Sequence, residues 1–475
     1  MREFWTTERI RAAEERLLAV TPEGALMHRA AFGVATQAAA MLGKVTGRRV
    51  TLLVGAGNNG GDALWAGAFL RRRGAGVTAV LLNPDRAHPA GLAALRRAGG
   101  RIVGVADGPR WIPDADLVID GIIGLSARGS LRDEAAALVA HITGPVLAVD
   151  LPSGVDPDNG GVSGPAVTAT RTVTFGARKP VHVLNPQHCG KVVLVDIGLR
   201  LRDPDLRQLE AADVAAAWPL PGPSDDKYSQ GVTGIAAGSA TYPGAAVLAT
   251  GAAVRSTSGM VRYAGPAADV VRARWPEVVA TGSVTDAGRA QAWVVGPGIG
   301  TGAEGRDVVA HVLAAGVPVC ADADATTLLA QQPELLDARD PDTPLVLTPH
   351  AGEFARLTGE QPGADRVAAV RAAARKFDAV VLLKGNRTVI AAPDGRVLVN
   401  VAEGSWLATA GSGDVLSGMV GALLAAGLDP WLAAGLAASV HSHAADLAAR
   451  GVPTSASGVV SAIPAALRRI VAGRA

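Results

Sequence analysis

Cysteine is nearly missing from this chain: its 475 residues include two, Cys189 and Cys320. Two cysteines so far apart exclude a disulfide scaffold and a structural zinc site, and suit a reducing compartment. Excess charge is missing too. A formal net charge of +2 is too weak a field to argue for nucleic acid or an anionic membrane. No apolar run is long enough to span a membrane: the longest, Val415 to Leu428, is rich in Gly and Ala and stops at Asp429-Pro430. The segment Met1 to Ile10 carries acids and no apolar stretch, so no signal peptide is visible. The expectation is a cytoplasmic protein that binds no nucleic acid and no membrane.

What is plentiful is apolar residues, 49% of the chain, enough to build the cores of two or three domains. The first 42 residues read as two helices broken at Thr21-Pro22. Strand-like runs then alternate with helical patterns at Val50–Val54, Val77–Leu82, Leu117–Asp120 and Val146–Asp150. Thr172–Phe175 and Val192–Asp196 finish this series, which predicts a parallel α/β sheet. The Pro-rich stretch Trp218 to Pro223 marks a break, and the boundary falls at 205–222, dividing the chain into domains 1–210 and 211–475. A second βα series follows, with strands at Val232–Ala237, Ala292–Val295, Val317–Ala321, Leu345–Leu347 and Val380–Leu383. The last 60 residues read as Ala-rich helices, and no internal repeat links the halves.

In the front half, three polar clusters fall at the C-terminal ends of expected strands, where parallel sheets bind ligands. They are Gly57-Asn-Asn-Gly-Gly-Asp62, Asp120-Gly-Ile-Ile-Gly124 and Asp150-Leu-Pro-Ser-Gly-Val-Asp156. Singly, each has a plain alternative: Asp62 as a helix cap, Asp120 as a strand end, Pro152-Ser153-Gly154 as a turn. The spacing Gly55-x-Gly57-x-x-Gly60 also fits a dinucleotide-binding turn. A redox enzyme, however, wants an acid at the end of the second strand, and Asn83 stands there.

Together these clusters resemble the N-terminal YjeF family, the NAD(P)H-hydrate epimerases, over roughly residues 5–205. The resemblance implies a Rossmann-like parallel α/β domain acting on the hydrated nicotinamide nucleotide NAD(P)HX. It implies that Asn58, Asn59, Gly60, Gly61 and Asp62 contact this substrate. A looser part of the pattern adds Gly124, Leu125, Ser126, Ala127, Arg128, Gly129 and Ser130. Asn59, Asp120 and Ser153 would supply oxygens to a potassium ion, and Asp150 would be catalytic and lie against the substrate. The chemistry agrees, since amide, carboxylate and hydroxyl oxygens suit a hard cation. The hydrated carbon ionises with help from the ring nitrogen, so a placed carboxylate is a sensible proton carrier.

In the back half, Leu407-Ala-Thr-Ala-Gly-Ser-Gly-Asp414 precedes a helix expected from Val415. Small residues and an acid at a helix start make an anion hole with a base at its rim, the alternative being a plain N-cap. The motif is similar to the G-[ST]-G-D of ribokinase-like kinases. With Gly238–Ala246, Val295–Gly300, Thr348–Glu353 and Leu383–Thr388 in order, residues 215–473 resemble the ADP-dependent NAD(P)H-hydrate dehydratases. This implies a ribokinase-like α/β domain with Asp414 as catalytic base. Ala245, Gly300, His350, Ala351, Gly352, Glu353, Phe354, Ala355, Arg356 and Asp414 would line the hydrate site. Lys384, Gly385, Asn386, Arg387 and Thr388 would hold ADP with its magnesium. So would Gly404, Ser405, Trp406, Leu407, Ala408, Thr409, Ala410, Gly411, Ser412 and Gly413. The family often has Pro-Gly before Leu-Ala-Thr where this chain has Ser405-Trp406. Lys384 is one of only six lysines, and His350 alone would more often be structural.

The combined expectation is a repair enzyme, active as a homo-oligomer on NADHX and NADPHX with ADP. The front domain epimerises R and S forms; the back domain dehydrates the S form, releasing AMP and phosphate. The alternative is a small-molecule kinase with a non-catalytic nucleotide-binding front domain.

Overall fold

A computed structural model describes residues 1–125, 129–257 and 259–473. The chain divides into two compact units, one of Glu3–Leu206 and one of Met1–Arg2 with everything from Arg207 onward.

The front unit is built on seven parallel strands, the fold class expected from the alternation of apolar runs. Their order across the sheet is Arg101–Gly104, Gly76–Leu81, Arg49–Val54, Leu117–Gly121, Val146–Val149, Arg171–Phe175 and Lys191–Val195. The strands read as near-continuous apolar runs because both faces are covered. Order reverses between Arg49–Val54 and Leu117–Gly121, which pair with Leu53 beside Asp120. A parallel sheet opens a crevice at such a reversal, beyond the strand ends. Asp120 and the loop after Val54 lie at that point. The edge strand Arg101–Gly104 has no counterpart in the apolar pattern: none of its residues is buried, so it carries no apolar signature.

The loop geometry explains its glycines. A Cβ on Gly55 would lie 1.8 Å from the carbonyl oxygen of Ile122, and one on Gly60 would lie 2.2 Å from that of Gly55. Gly57 holds φ of 96°, a conformation that L side chains rarely adopt. The chain can therefore fold back into the helix Asn58–Arg72 only with glycine at these places.

The back unit carries a larger sheet with the same kind of reversal. Strands Val279–Thr281, Met260–Ala264, Val232–Ala236, Ala292–Val295, Val319–Ala321, Leu345–Leu347 and Val380–Leu383 are parallel neighbours in that order. Arg387–Ala391 and Val397–Val401 extend it as an antiparallel pair. Their turn signal, Pro393-Asp394-Gly395, was available in the sequence. The apolar run at Val415 becomes the helix Ser412–Ala425, eleven of whose residues are buried. It is apolar on all sides because it runs through the core. Its glycines allow close approach: a Cβ on Gly421 would meet Val294 at 2.1 Å, and one on Gly418 the Ala249 carbonyl at 2.1 Å. Among the described residues no helix is long and apolar enough to cross a membrane.

Replacing Gly60 with alanine should destabilise the front unit by about 1–3 kcal/mol, the usual cost of overpacking. Gly104→Ala, whose added methyl meets nothing within 4 Å, should stay within about 0.5 kcal/mol of wild type. Denaturant unfolding of both variants checks the pair.

Candidate active sites

The front crevice is a cavity of about 1130 Å³. Asn58, Asn59, Asp62, Gly124, Leu125, Ser130 and Asp150 line it, together with Glu14 and Arg11 from the helix Thr7–Leu18. Gly60, Gly61, Asp120 and Ser153 lie buried rather than on this lining, and Gly129 is likewise off it. Ser126, Ala127 and Arg128 fall outside the described residues.

Asp150 follows the strand Val146–Val149 with φ of 71°. A non-glycine residue held there stores roughly 1–3 kcal/mol of backbone strain. The surroundings hold it firmly: its N–H donates to Val173 O at 2.7 Å, and its carbonyl lies 3.0 Å from His182 Nε2. Its carboxylate accepts from Lys179 Nζ and from Thr174 Oγ1, the latter at 3.0 Å. Lys179 is 1% exposed and also donates to Thr174 Oγ1 at 2.8 Å. Burial, followed by the Lys179 charge, depresses His182 to about 3, so its ring is neutral at physiological pH. Lys179 was missed in the motif reading although it too is one of the six lysines.

Asp62 is not the helix cap. Gly57 holds that position, and Asp62 lies past the first turn of the helix, buried, with Oδ1 meeting no hydrogen-bond partner. Burial raises its carboxyl well above the ordinary range, and the charges of Asp150 and Glu14 add to the effect. Asp120 is held differently. It accepts from Ser153 N at 2.8 Å, Ser153 Oγ at 2.7 Å and Ile122 N at 3.2 Å. Burial still lifts it to about 6 against those bonds. Asn59 donates to the carbonyls of Val149 at 2.7 Å and Ile123 at 3.3 Å. This turns its amide oxygen toward Gly124, where a Cβ would lie 2.3 Å from it.

In the back unit, a second constellation gathers at the C-terminal strand ends. Asp322, just after Val319–Ala321, accepts from Lys384 Nζ at 2.6 Å and from Ser417 Oγ at 2.6 Å. Lys384 stands 3.9 Å from Glu353 Oε2. Burial works against its charge, yet the carboxylates of Asp322 and Glu353 hold the ammonium above its usual range. Asp414 lies in the first turn of Ser412–Ala425, whose cap is Gly411 at φ 83°, with no side chain capping the helix start. It is therefore not a plain N-cap. Burial first, then the Asp322 charge, push it up to about 7, against the pull of Lys384.

The other expected residues distribute around this core. Gly300 N donates to Asp324 Oδ2 at 2.9 Å, and a Cβ on neighbouring Gly298 would be 3.1 Å from Ala245. His350 caps the helix Ala351–Thr358: its Nδ1 accepts from Gly352 N and Glu353 N, while Glu353 returns a bond to its N–H. Its Nε2 is 3.5 Å from Glu353 Oε1 on a half-exposed ring. Ala351 and Ala355 are half-buried, Arg356 is exposed, and Phe354 turns into the interior. Gly385, Asn386, Arg387 and Thr388 form the turn into the antiparallel pair, where Thr388 Oγ1 donates to Gly385 O and Ala402 N to Asn386 O. From Gly404 to Gly413 the chain leads into the helix, with Trp406 against Gly404 and Ser412 Oγ donating to Leu407 O at 2.7 Å. Asp322 and Ser417 were missed; Ala321-Asp-Ala-Asp324 directly behind a strand was the available signal.

Two doubly wound α/β units, each with buried carboxyls and one lysine bonded to them at its strand ends, define a two-site enzyme of the nucleotide-handling class. Residues 23–181 match the family model for the YjeF-related protein N-terminus, and residues 233–463 that for NAD(P)H-hydrate dehydratase. The chain is 57% identical over 479 residues to the bifunctional NAD(P)H-hydrate repair enzyme Nnr of Mycobacterium leprae, covering 98% of this chain and 99% of that protein. It is 39% identical to the enzyme of the same name from Corynebacterium glutamicum, with 99% of each covered. An ADP/ATP-dependent NAD(P)H-hydrate dehydratase from Bacillus subtilis, co-crystallized with ATP/Mg2+, superposes with a TM-score of 0.50 at 30% identity. That match covers 55% of this chain and 97% of the other. A ribokinase-like protein from Enterococcus faecalis, TM-score 0.51 at 24% identity, shares the back unit's fold. The chain belongs to the bifunctional NAD(P)H-hydrate repair enzyme family, with an epimerase half followed by a ribokinase-like dehydratase half.

Lys179→Met would leave the Asp150 carboxylate buried without its counter-ion. Removing one partner of such a pair costs about 3 kcal/mol or more, and denaturant unfolding at neutral pH should show that loss in the front unit. A loss under about 1 kcal/mol would mean the pair contributes little to holding Asp150.

Proposed function

We propose that the front unit interconverts the R and S forms of NAD(P)HX and the back unit dehydrates the S form using ADP, releasing AMP and phosphate. The observation that carries this reading is Asp414, an under-compensated carboxyl in the first turn of a buried helix. Phosphoryl transfer asks of the protein mainly position and charge stabilisation. Asp414 would take the proton of the substrate hydroxyl, and the uncapped helix start would stabilise phosphoryl charge. Phosphate then leaves where hydroxide would leave poorly, and the dihydropyridine is restored. Lys384, fixed by Asp322, presents positive charge at the same place. ADP would lie along Lys384–Thr388 and Gly404–Gly413; Asp324 and Glu353, as hard oxygen donors, would hold a magnesium ion, which would supply charge screening for its phosphates.

In the front unit Asp150 is the proton carrier. Asn59, Asp120 and Ser153 fit a potassium ion. The Asn59 amide oxygen faces the space left by Gly124, and Ser153 Oγ donates to Asp120, accepts from Ile123 N at 3.1 Å and keeps one lone pair. Such an ion would supply fixed positive charge beside the substrate. A cytoplasmic homo-oligomer completes the reading.

The assay is recovery of nicotinamide absorbance from mixed-epimer NADHX with and without ADP. Asp414→Ala should abolish ADP-driven recovery. Asp150→Ala should leave about half the substrate unrecovered at short times. In the wild type kcat/KM should rise with pH through about 7 as Asp414 loses its proton. Asp322→Asn, by removing a neighbouring negative charge, should move that limb to lower pH. Unchanged recovery in Asp414→Ala, or a stable phosphorylated product in place of released phosphate, would contradict the dehydratase assignment.

A further inference from the structure

Five acidic groups line the front cavity, Glu14, Glu23, Asp62, Glu134 and Asp150, and the three that act on one another, Asp150, Asp62 and Glu14, are not treated alike. Lys179, the buried ammonium beside them, bonds to Asp150, Thr174 and the Phe175 carbonyl, none of which is Asp62. Asp62 lies on the helix Asn58–Arg72, past its first turn, and is 5% exposed, and its Oδ1 is buried without a partner. The charged and titratable groups around it come from every neighbouring element. Glu14 and Arg11 lie on Thr7–Leu18, His28 on Ala25–Leu42, and His88 at the start of Pro89–Arg97. Asp150 follows Val146–Val149. Arg11 spends a guanidinium N–H on the Leu125 carbonyl at 2.7 Å, and His88 Nδ1 accepts from Gly91 N. Among the described residues no ion pair reaches Asp62.

We propose that Asp62 is the acid partner of Asp150 in the front site: it donates a proton to the substrate while Asp150, paired with Lys179, receives one. The proposal rests on the epimerase reading of this unit and assigns the second half of its proton traffic. Two carboxyls in one pocket with different surroundings, one beside a buried ammonium and one buried without a partner, suit an acid and a base. Burial and the like charges of Asp150 and Glu14 both favour the protonated form of Asp62.

The step balances without any co-reactant. The Asp62 proton goes to the hydroxyl oxygen on the hydrated carbon. The C–O bond breaks with its electron pair leaving on the oxygen as water, and the ring-nitrogen lone pair forms a C=N bond. Water then adds to the opposite face. Its lone pair makes the new C–O bond, the C=N electrons return to nitrogen, and the surplus proton goes to Asp150. The hydroxyl has changed face and one proton has moved from Asp62 to Asp150. Turnover of the opposite epimer, or exchange with solvent, restores the starting state.

The test uses the full chain and purified single-epimer NADHX, with interconversion followed chromatographically and the spontaneous rate subtracted. Asp62→Asn should lower kcat at least about 100-fold, the scale of lost general-acid catalysis, with KM nearly unchanged. It should also remove the alkaline limb of the kcat/KM pH profile, and Asp62→Glu should restore part of the rate. In difference infrared spectra against wild type at neutral pH, Asp62→Asn should lose a protonated-carboxyl component that Asp150→Asn retains, the band of Asp414 being common to all three. Retention of kcat in Asp62→Asn, a loss through KM alone, or an intact alkaline limb would overturn the assignment and leave Asp62 a binding contact. That result is distinguishable from failure of the underlying reading. A wild-type chain that does not epimerise, or an Asp150→Asn chain that does so normally, would overturn the epimerase reading itself.

Discussion

Both sites depend on how one lysine is placed among too many carboxyls. In the front unit Lys179 is committed to Asp150, and in the back unit Lys384 is committed to Asp322. An ammonium taken out of water is stable only when its partners satisfy it. Lys179 bonds to Asp150, Lys384 bonds to Asp322 with Glu353 3.9 Å away, and among the described residues neither forms an ion pair with Asp62 or Asp414. The carboxyls left over, Asp62 and Asp414, feel burial and the like charge of their neighbours, and both hold their protons more tightly than ordinary aspartates. Proton chemistry near neutral pH then follows from the charge count of each pocket. Neither unit needs an unusual residue type for it.

The sheets make this charge arrangement possible. In each unit strand order reverses next to the first strand of the series, and loops diverge there beyond the strand ends. Carboxyls from different strands can converge in that crevice while their backbones stay bonded in the sheet. Close approach has its own requirement. Gly55, Gly60 and Gly413 lie where a side chain would collide with a carbonyl oxygen or crowd the Lys384 ammonium. Asp150 accepts a left-handed backbone, and Ala323, next to Asp322, does the same at φ 50°. Two of the five non-glycine residues with positive φ among the described residues thus sit beside the acids.

Much of this was legible in the sequence, and the illegible part has a common cause. The alternation of apolar runs gave the parallel sheets, and the Gly-Asn-Asn-Gly-Gly-Asp and Gly-Ser-Gly-Asp motifs located the crevices, because both signals are local. The partners of the acids are not local. Lys179 meets Asp150 across 29 residues, Lys384 meets Asp322 across 62, and Ser417 meets Asp322 across 95. Nothing in the spacing of single residues reports such pairs. Lys384 was expected to hold nucleotide; the partner that fixes its ammonium, Asp322, was not expected. The exposed edge strand Arg101–Gly104 carried no apolar signature, whereas the hairpin after Thr388 did carry a turn signal.

The central claim is that one chain carries two chemically independent sites, each with its own acid. Complementation tests it most directly. Pure R-form NADHX with ADP is given to Asp150→Asn protein, to Asp414→Asn protein, and to an equal mixture of both. Neither variant alone should restore absorbance beyond the spontaneous background, because one cannot make the S form and the other cannot dehydrate it. The mixture should restore it in full. A mixture as inactive as its parts, or a single variant that completes the conversion alone, would contradict the account.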